Sequence, residues 1–316
     1  MLTRRQFFKR AGAFAALFGL TNSRQVAPAS ADFTALAYGA TFGVPPESAL
    51  LGRLFAATDL RTQPLSAAPS LKKLPADSLH AILGVSEDGW WYKVAEGYLP
   101  REAMQPIPPY EQPPQPTELH KGYYQVIAPT TVLRTACTPY ARINARFPFG
   151  SVIYVHDWLT DDNGQVWYAL TSTAEGKGMF GWANALHFQR WQPQRAPLQQ
   201  PALWLDTEQH TLSVYEGETF IGKTAACTVP LPHDTATLRL GSPCTHTFRE
   251  APYLCMWQMS LFLQRGARLP LYGVNWHNRF GTTSQTRAIE LPILAARQLY
   301  EMLGGAPGHE AVVIVS

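Results

Sequence analysis

Short β-rich runs bounded by Gly, Asp and Asn turns dominate the hydrophobic pattern of this chain, as in Ser151-Val-Ile-Tyr-Val155. Ala202-Leu-Trp-Leu-Asp206, a turn at Thr207 to His210, and Thr211-Leu-Ser-Val-Tyr215 closed by Glu216-Gly217 predict a hairpin. Ala311 to Val315 predicts a closing strand. One segment carries a helical period: Pro292 stands at its first position, Leu294 or Ala295, Leu299 and Leu303 form an apolar face, and Gly304-Gly305 terminates it. The expected fold class is mainly β with one clear helix.

Two proline-rich stretches, Gln105 to Glu118 and Gln192 to Pro201, favour extended spacers over packed structure. They divide the chain into blocks at 50–106, 120–191 and 202–316, with linkers at 107–119 and 192–201. The first two blocks repeat one another. Leu60-Arg61-Thr62 and Leu133-Arg134-Thr135 are followed at similar distance by Trp91-Tyr92 and Trp167-Tyr168, then by Gly97-Tyr98-Leu99 and Gly181-Trp182-Ala183. On these elements both blocks resemble bacterial Src-homology-3-like modules, which implies two small β-barrels of a kind that often accompanies cell-wall enzymes; the usual asparagine before the first element is missing. Trp90, Trp91, Tyr98, Trp167 and Trp182 are the candidates for lining a groove for peptide stems or glycan, against the plainer reading that they pack in cores. Strand alternation forbids Trp90 and Trp91 from both pointing inward, so one is expected at a surface or rim.

Thr3-Arg4-Arg5-Gln6-Phe7-Phe8-Lys9, the apolar run Ala11 to Leu20 and Ala29-Ser30-Ala31 resemble a twin-arginine export signal over residues 1–31. The run has about half the roughly 20 residues a spanning helix needs, which favours removal over anchoring. The implied location is the periplasm or the outer cell envelope. Without those 31 residues the chain keeps 21 basic against 23 acidic residues. Near neutrality argues against a nucleic-acid partner and against a polybasic lipid surface. Cys137, Cys227, Cys244 and Cys255 would all enter a compartment that permits disulfides. If the three C-terminal ones pair among themselves one is left over, so Cys137 bridges blocks or at least one thiol is free; the alternative is that each is a small buried hydrophobe.

Leu271-Tyr272-Gly273-Val274-Asn275-Trp276-His277-Asn278-Arg279-Phe280-Gly281, with Leu291, resembles the signature of the YkuD-type L,D-transpeptidases, commonly L-H-G-T-x-W-H-x-x-F-G followed by S-H-G-C-V-N-L. The hairpin at 202–217 also looks like that family's first hairpin. The resemblance implies a β-rich transpeptidase-like domain over 202–316 and a peptidoglycan stem peptide, glycan or cell-wall protein as partner. In that family a thiolate attacks a stem carbonyl, expels D-alanine and passes the acyl group to an amine, which needs a polarised sulfur, a histidine and oxyanion donors.

A gap-free match through Gly281 and Leu291 puts Ala288 at the nucleophile, Thr286 at the histidine before it, Arg287 at the intervening glycine, Glu290 at the following asparagine and Tyr272 at the H-G histidine. A methyl group forms no acyl-enzyme. Losing a nucleophile costs on the order of 10⁶-fold in turnover, about 8 kcal/mol. Arg287 can fill the old pocket, pair with Glu290 or reach solvent, and as a cation it can attract a stem carboxylate. Cys255 or Cys244 is the fallback nucleophile. The histidines show no metal-ligand spacing, and no phosphate loop, G-x-S-x-G elbow or H-E-x-x-H is present, so neither metal nor cofactor is expected. The expected function is cell-envelope binding without crosslinking, the alternatives being an active acyltransferase on a relocated cysteine and a scaffold without wall affinity.

Overall fold

The computed structural model describes residues 50–173, 176, 178–193, 196–247, 254–264 and 266–316, so the export-signal reading of 1–31 lies outside the described residues. The architecture is mainly β, with one α-helix and two single-turn 3₁₀ segments among the described residues. No described helix is long and apolar enough to cross a membrane.

The sequence repeat is also a structural one. Thr58–Arg61 pairs with Gly97–Pro100 at Arg61 opposite Tyr98, and Thr130–Arg134 pairs with Met179–Asn184 at Arg134 opposite Trp182. At both places a glycine is required by close approach: a Cβ on Gly97 would lie 2.3 Å from the Arg61 carbonyl, and one on Gly181 2.5 Å from that of Arg134. Each arginine then donates across its loop to the carbonyl seven residues on, Arg61 to Ala68 and Arg134 to Ala141. In both copies a 3₁₀ turn follows, Arg101–Ala103 and Ala185–His187, and delivers a last strand, Met104–Ile107 and Phe188–Arg190. Residues 50–107 form a three-stranded and a five-stranded sheet around Leu54, Leu60, Leu99 and Met104; residues 122–190 form one seven-stranded sheet around Leu133, Ile153, Val155 and Leu170.

From residue 201 onward a nine-stranded mixed sheet takes over. The predicted hairpin is its Pro201–Asp206 and Thr211–Glu216 pair, and the closing strand Glu310–Val315 lies parallel to the first of these. Arg268–Val274 runs parallel to Ile289–Pro292, which brings the two halves of the sequence motif side by side. The helix, Ile293–Met302, starts one residue later than its sequence predicts. Pro292 is extended and still pairs with Val274, as a ring with fixed φ and no N–H to offer can do at a strand end.

The helix packs onto the sheet at Gly273, where an added Cβ would meet Ala296 Cβ at 2.8 Å, Ile293 Cδ1 at 3.0 Å and the Trp257 ring at 3.2 Å. Gly273→Ala is expected to cost about 1–3 kcal/mol through overpacking. Denaturant titration checks this, and an unchanged midpoint would show that the helix has room to move. On its other side the helix meets the second sheet through Arg297 to Gln125 at 2.6 Å and Trp191 to Glu301 at 2.9 Å. All three sheet systems converge on Asn275. Its carbonyl accepts from Arg53, and its amide nitrogen lies 3.2 Å from the Phe149 carbonyl and 3.1 Å from Ser151 Oγ.

Candidate functional site

Parallel pairing sets Tyr272 opposite Glu290 and Gly273 opposite Leu291, while antiparallel pairing sets Cys255 opposite Val274. A bridge outside the regular strands places Cys227 opposite Glu290, with Cys227 N–H to Glu290 carbonyl at 2.8 Å and the reciprocal bond at 3.0 Å. The tertiary structure thereby adds Cys227, from the strand end after Thr219–Ala225, to the residues that sequence reasoning had placed together.

Ala288, which the sequence resemblance sets at the nucleophile position, is 0% exposed. It packs in an apolar cluster with Ala225, Cys227, Cys255, Tyr272, Val274 and Phe280. Its methyl group is enclosed by these side chains. Arg287 is exposed, so of its three options it takes the solvent.

Beside Ala288 runs a polar network, buried at Tyr272, His277 and Glu290 and half-buried at Ser284 and Thr286. Thr286 Oγ1 donates to Glu290 Oε1 at 2.8 Å, and the other carboxylate oxygen lies 3.1 Å from His277 Nε2. The backbone N–H of Arg279 donates to His277 Nδ1 at 3.1 Å, which leaves the ring proton on Nε2, donated to Glu290. Ser284 Oγ lies 3.1 Å from Thr286 Oγ1, and the Tyr272 hydroxyl lies 3.5 Å from it. Thr286, which the sequence resemblance sets in place of a histidine, thus orients a carboxylate.

The sulfur of Cys227, one ring nitrogen of His277 and a carboxylate oxygen of Glu290 lie within 4.8 Å of one another, a spacing at which a metal has to be considered. The ring argues against it. With Nδ1 accepting a backbone hydrogen bond, Nε2 carries the proton and has no lone pair for a cation, the reverse of the usual arrangement in which the second nitrogen donates outward.

Neither fallback cysteine is poised to react. Burial pushes the Cys244 thiol up to about 12, and burial, with the Glu290 charge adding to it, pushes Cys255 up to about 12 although Tyr272 hydrogen-bonds its sulfur. Cys227 is also pushed up to about 12, first by burial and then by Glu290. All four cysteines are free thiols, so none of the pairings considered from sequence forms.

Among the described residues no metal-ligand group other than Cys227, His277 and Glu290 is present. Comparison with known proteins gives no matching family model and no matching curated protein. Solved structures do match in part. The chain is similar to an L,D-transpeptidase from Mycobacterium tuberculosis H37Rv at 13% identity and a TM-score of 0.30, over 61% of this chain and 80% of that one. It is similar to residues 123–326 of the L,D-transpeptidase from Xylanimonas cellulosilytica at 10% identity and a TM-score of 0.28, over 40% of this chain. It is similar to the catalytic domain of the E. faecium L,D-transpeptidase at 15% identity and a TM-score of 0.27, over 37% of this chain and 96% of that one. The chain spans 65% of the length of the Xylanimonas structure.

The predicted groove aromatics do not join this site. Trp91 and Trp167 are buried, and Trp167 Nε1 donates to Asp161 at 3.0 Å. Tyr98 and Trp182 are half-buried. Trp90 is 37% exposed, with the Arg101 guanidinium 5.4 Å from its ring centre. A cleft of about 190 Å³ in the first block is lined instead by Leu60, Lys72, His80 and Glu96, among others, with Lys72 and Glu96 paired across 2.6 Å.

Proposed function

We propose that this chain is an exported cell-envelope scaffold, built from two Src-homology-3-like modules and an L,D-transpeptidase-like domain that does not crosslink peptidoglycan in the state described. The observation that carries this reading is the complete burial of Ala288 within an apolar cluster. A stem peptide requires an open approach to a nucleophile. Here the position is both chemically inert and filled, with Tyr272 and Phe280 occupying its surroundings. The resemblance of residues 1–31 to an export signal supports the envelope location, and the motif frame from Leu271 to Leu291 supports the domain's kinship.

Contact with the wall or with a wall protein then falls to surfaces outside the motif, and the exposed Trp90 is the strongest aromatic candidate. With tetrapeptide muropeptides the purified chain is expected to form no crosslinked dimer above background. Ala288→Cys is expected to remain inactive as well, because Thr286 supplies no imidazole beside the new sulfur. Mass spectrometry of the products checks both, and dimer formation by the wild type would overturn the proposal. Co-sedimentation with sacculi separates wall contact from a scaffold without wall affinity: retention that falls severalfold in Trp90→Ala supports the former, and an absence of retention the latter.

A further inference from the structure

The two repeated modules do not fill their interiors alike. Leu74-Pro75 and Phe147-Pro148 each lead into a tight turn, in which Asp77 and Gly150 both take a positive φ, 63° and 86°. The N–H groups of Ser78 and Ser151 then donate back to the Pro75 and Pro148 carbonyls at 3.4 and 3.2 Å. This register sets Leu74 against Phe147 and His80 against Ile153. In the second module Phe147 packs on the Phe180 ring, with 5.2 Å between centres, and Ile153 is fully buried in the same cluster. The first module offers a smaller side chain at one of these positions and a polar one at the other. Its cleft of about 190 Å³ opens there, lined by the buried Leu60, Leu74 and Val94 and by the more exposed Lys72, His80 and Glu96, among others.

Two strands border this cleft, Ser70–Leu74 and Leu79–Ile82, and each is the last of its sheet. Among the described residues no strand pairs with the outer edge of either. Edge N–H and C=O groups therefore stand beside an apolar cavity, an arrangement that a further strand completes. Alternation places Lys72 on the cleft face with Leu74, and Leu71 and Lys73 on the other. The edge strand thus carries two lysines and no acid. Lys72 pairs with Glu96 across 2.6 Å, but both side chains are exposed, and such a pair costs little to open.

We propose that the first module takes an extended peptide strand of a partner protein onto the edge Ser70–Leu74, with an aromatic side chain in the cleft and a carboxylate two residues away on Lys72. The second module shows what the cavity lacks, since a phenylalanine fills the corresponding space there. The unpaired edge supplies the backbone bonds, and the two-residue spacing follows from Leu74 and Lys72 sharing one face. This site lies apart from position 288 and from Trp90, and rests on the scaffold reading only for the compartment in which the partner is met.

Fluorescence anisotropy of the full chain with a labelled, capped heptapeptide, Thr-Glu-Thr-Phe-Thr-Glu-Thr, tests this. Its carboxylates stand two residues from the ring on either side, so strand direction is immaterial. Saturable binding is expected, and alanine in place of the peptide's phenylalanine is expected to weaken it at least about tenfold. Leu74→Phe copies the second module and fills the cleft; it is expected to weaken binding at least about tenfold with an unchanged urea midpoint. Lys72→Gln, on the surface, is expected to weaken binding severalfold and to flatten its salt dependence, and it carries the test should Leu74→Phe unfold. Of two peptides N-methylated at alternating sets of residues, one is expected to lose binding and the other to keep it. Three results overturn the proposal: no saturable binding by the wild type, binding that the folded variants leave unchanged, and tolerance of both methylation patterns. A dimer in sedimentation that Leu74→Phe dissolves also overturns it, because the occupant is then a second copy of this chain. Crosslinking by the wild type is a separate readout; it defeats the scaffold reading and leaves this site to be decided by the titrations.

Discussion

Glu290→Ala is expected to destabilise the chain by about 4 kcal/mol while leaving its fold class unchanged. The carboxylate is fully buried and accepts from His277 Nε2–H and Thr286 Oγ1–H. Alanine removes the acceptor for both donors at once; the buried His277 donor left unmet costs about 1–3 kcal/mol, the half-buried Thr286 hydroxyl less, with a cavity term added. The backbone bridge to Cys227 does not depend on the side chain and should persist. Glu290→Gln keeps an acceptor oxygen for one of the two donors and is expected to lose about half as much. Urea unfolding followed by tryptophan fluorescence measures both. A loss below about 1 kcal/mol for the alanine variant would mean that water reaches the site and satisfies the donors, which contradicts the sealed geometry on which the functional reading stands.

Alkaline pH should unfold this protein steeply. Cys227, Cys244 and Cys255 each move from an ordinary 9.0 to about 12 in the folded state, with burial as the leading cause each time. Between those values the unfolded chain has released protons that the folded chain retains, so the unfolded state binds fewer and stability falls as pH rises. The contribution is fully present below pH 9 and is lost on the way to pH 12. Each thiol contributes a slope of up to about 1.4 kcal/mol per pH unit. Three together give about 2–4 kcal/mol per unit once partial solvation is allowed for, against a total stability of roughly 5–15 kcal/mol. Urea midpoints at pH 8, 9 and 10 check the slope, and Cys244→Ala/Cys255→Ala should flatten it by about two thirds over that range; above it the buried hydroxyls of Tyr168, Tyr272 and Tyr300, also raised by burial, add a slope of the same sign. A midpoint that stays constant to pH 10 would show that the thiols are solvated and hence open to reaction, reviving the relocated-nucleophile alternative.

Some of this was legible in one chain. The repeat could be read because its elements meet at a backbone contact: Gly97 and Gly181 tolerate no Cβ against the carbonyls of Arg61 and Arg134. The hairpin at 202–216 and the helix after Pro292 followed from alternation, turn residues and a glycine terminator, all local signals. The aromatic residues were less informative. Trp91 and Trp167 are buried and Trp90 is exposed, a division that alternation anticipates without saying which face is the core.

By itself the sequence determined that position 288 carries no nucleophile, since identity at a position is a property of the chain and no fold adds a sulfur to Ala288. It also determined a mainly β architecture, because strand periodicity and turn chemistry act over a few residues. Only the tertiary structure decided that Cys227 lies opposite Glu290 and beside His277, from three segments up to 63 residues apart, a register set by sheet pairing. Only it decided that Arg53 and Arg101 close over the loop holding Arg279. A buried guanidinium must find acceptors wherever packing supplies them, and which carbonyls those are is fixed by how the sheets meet, a relation that no local pattern encodes.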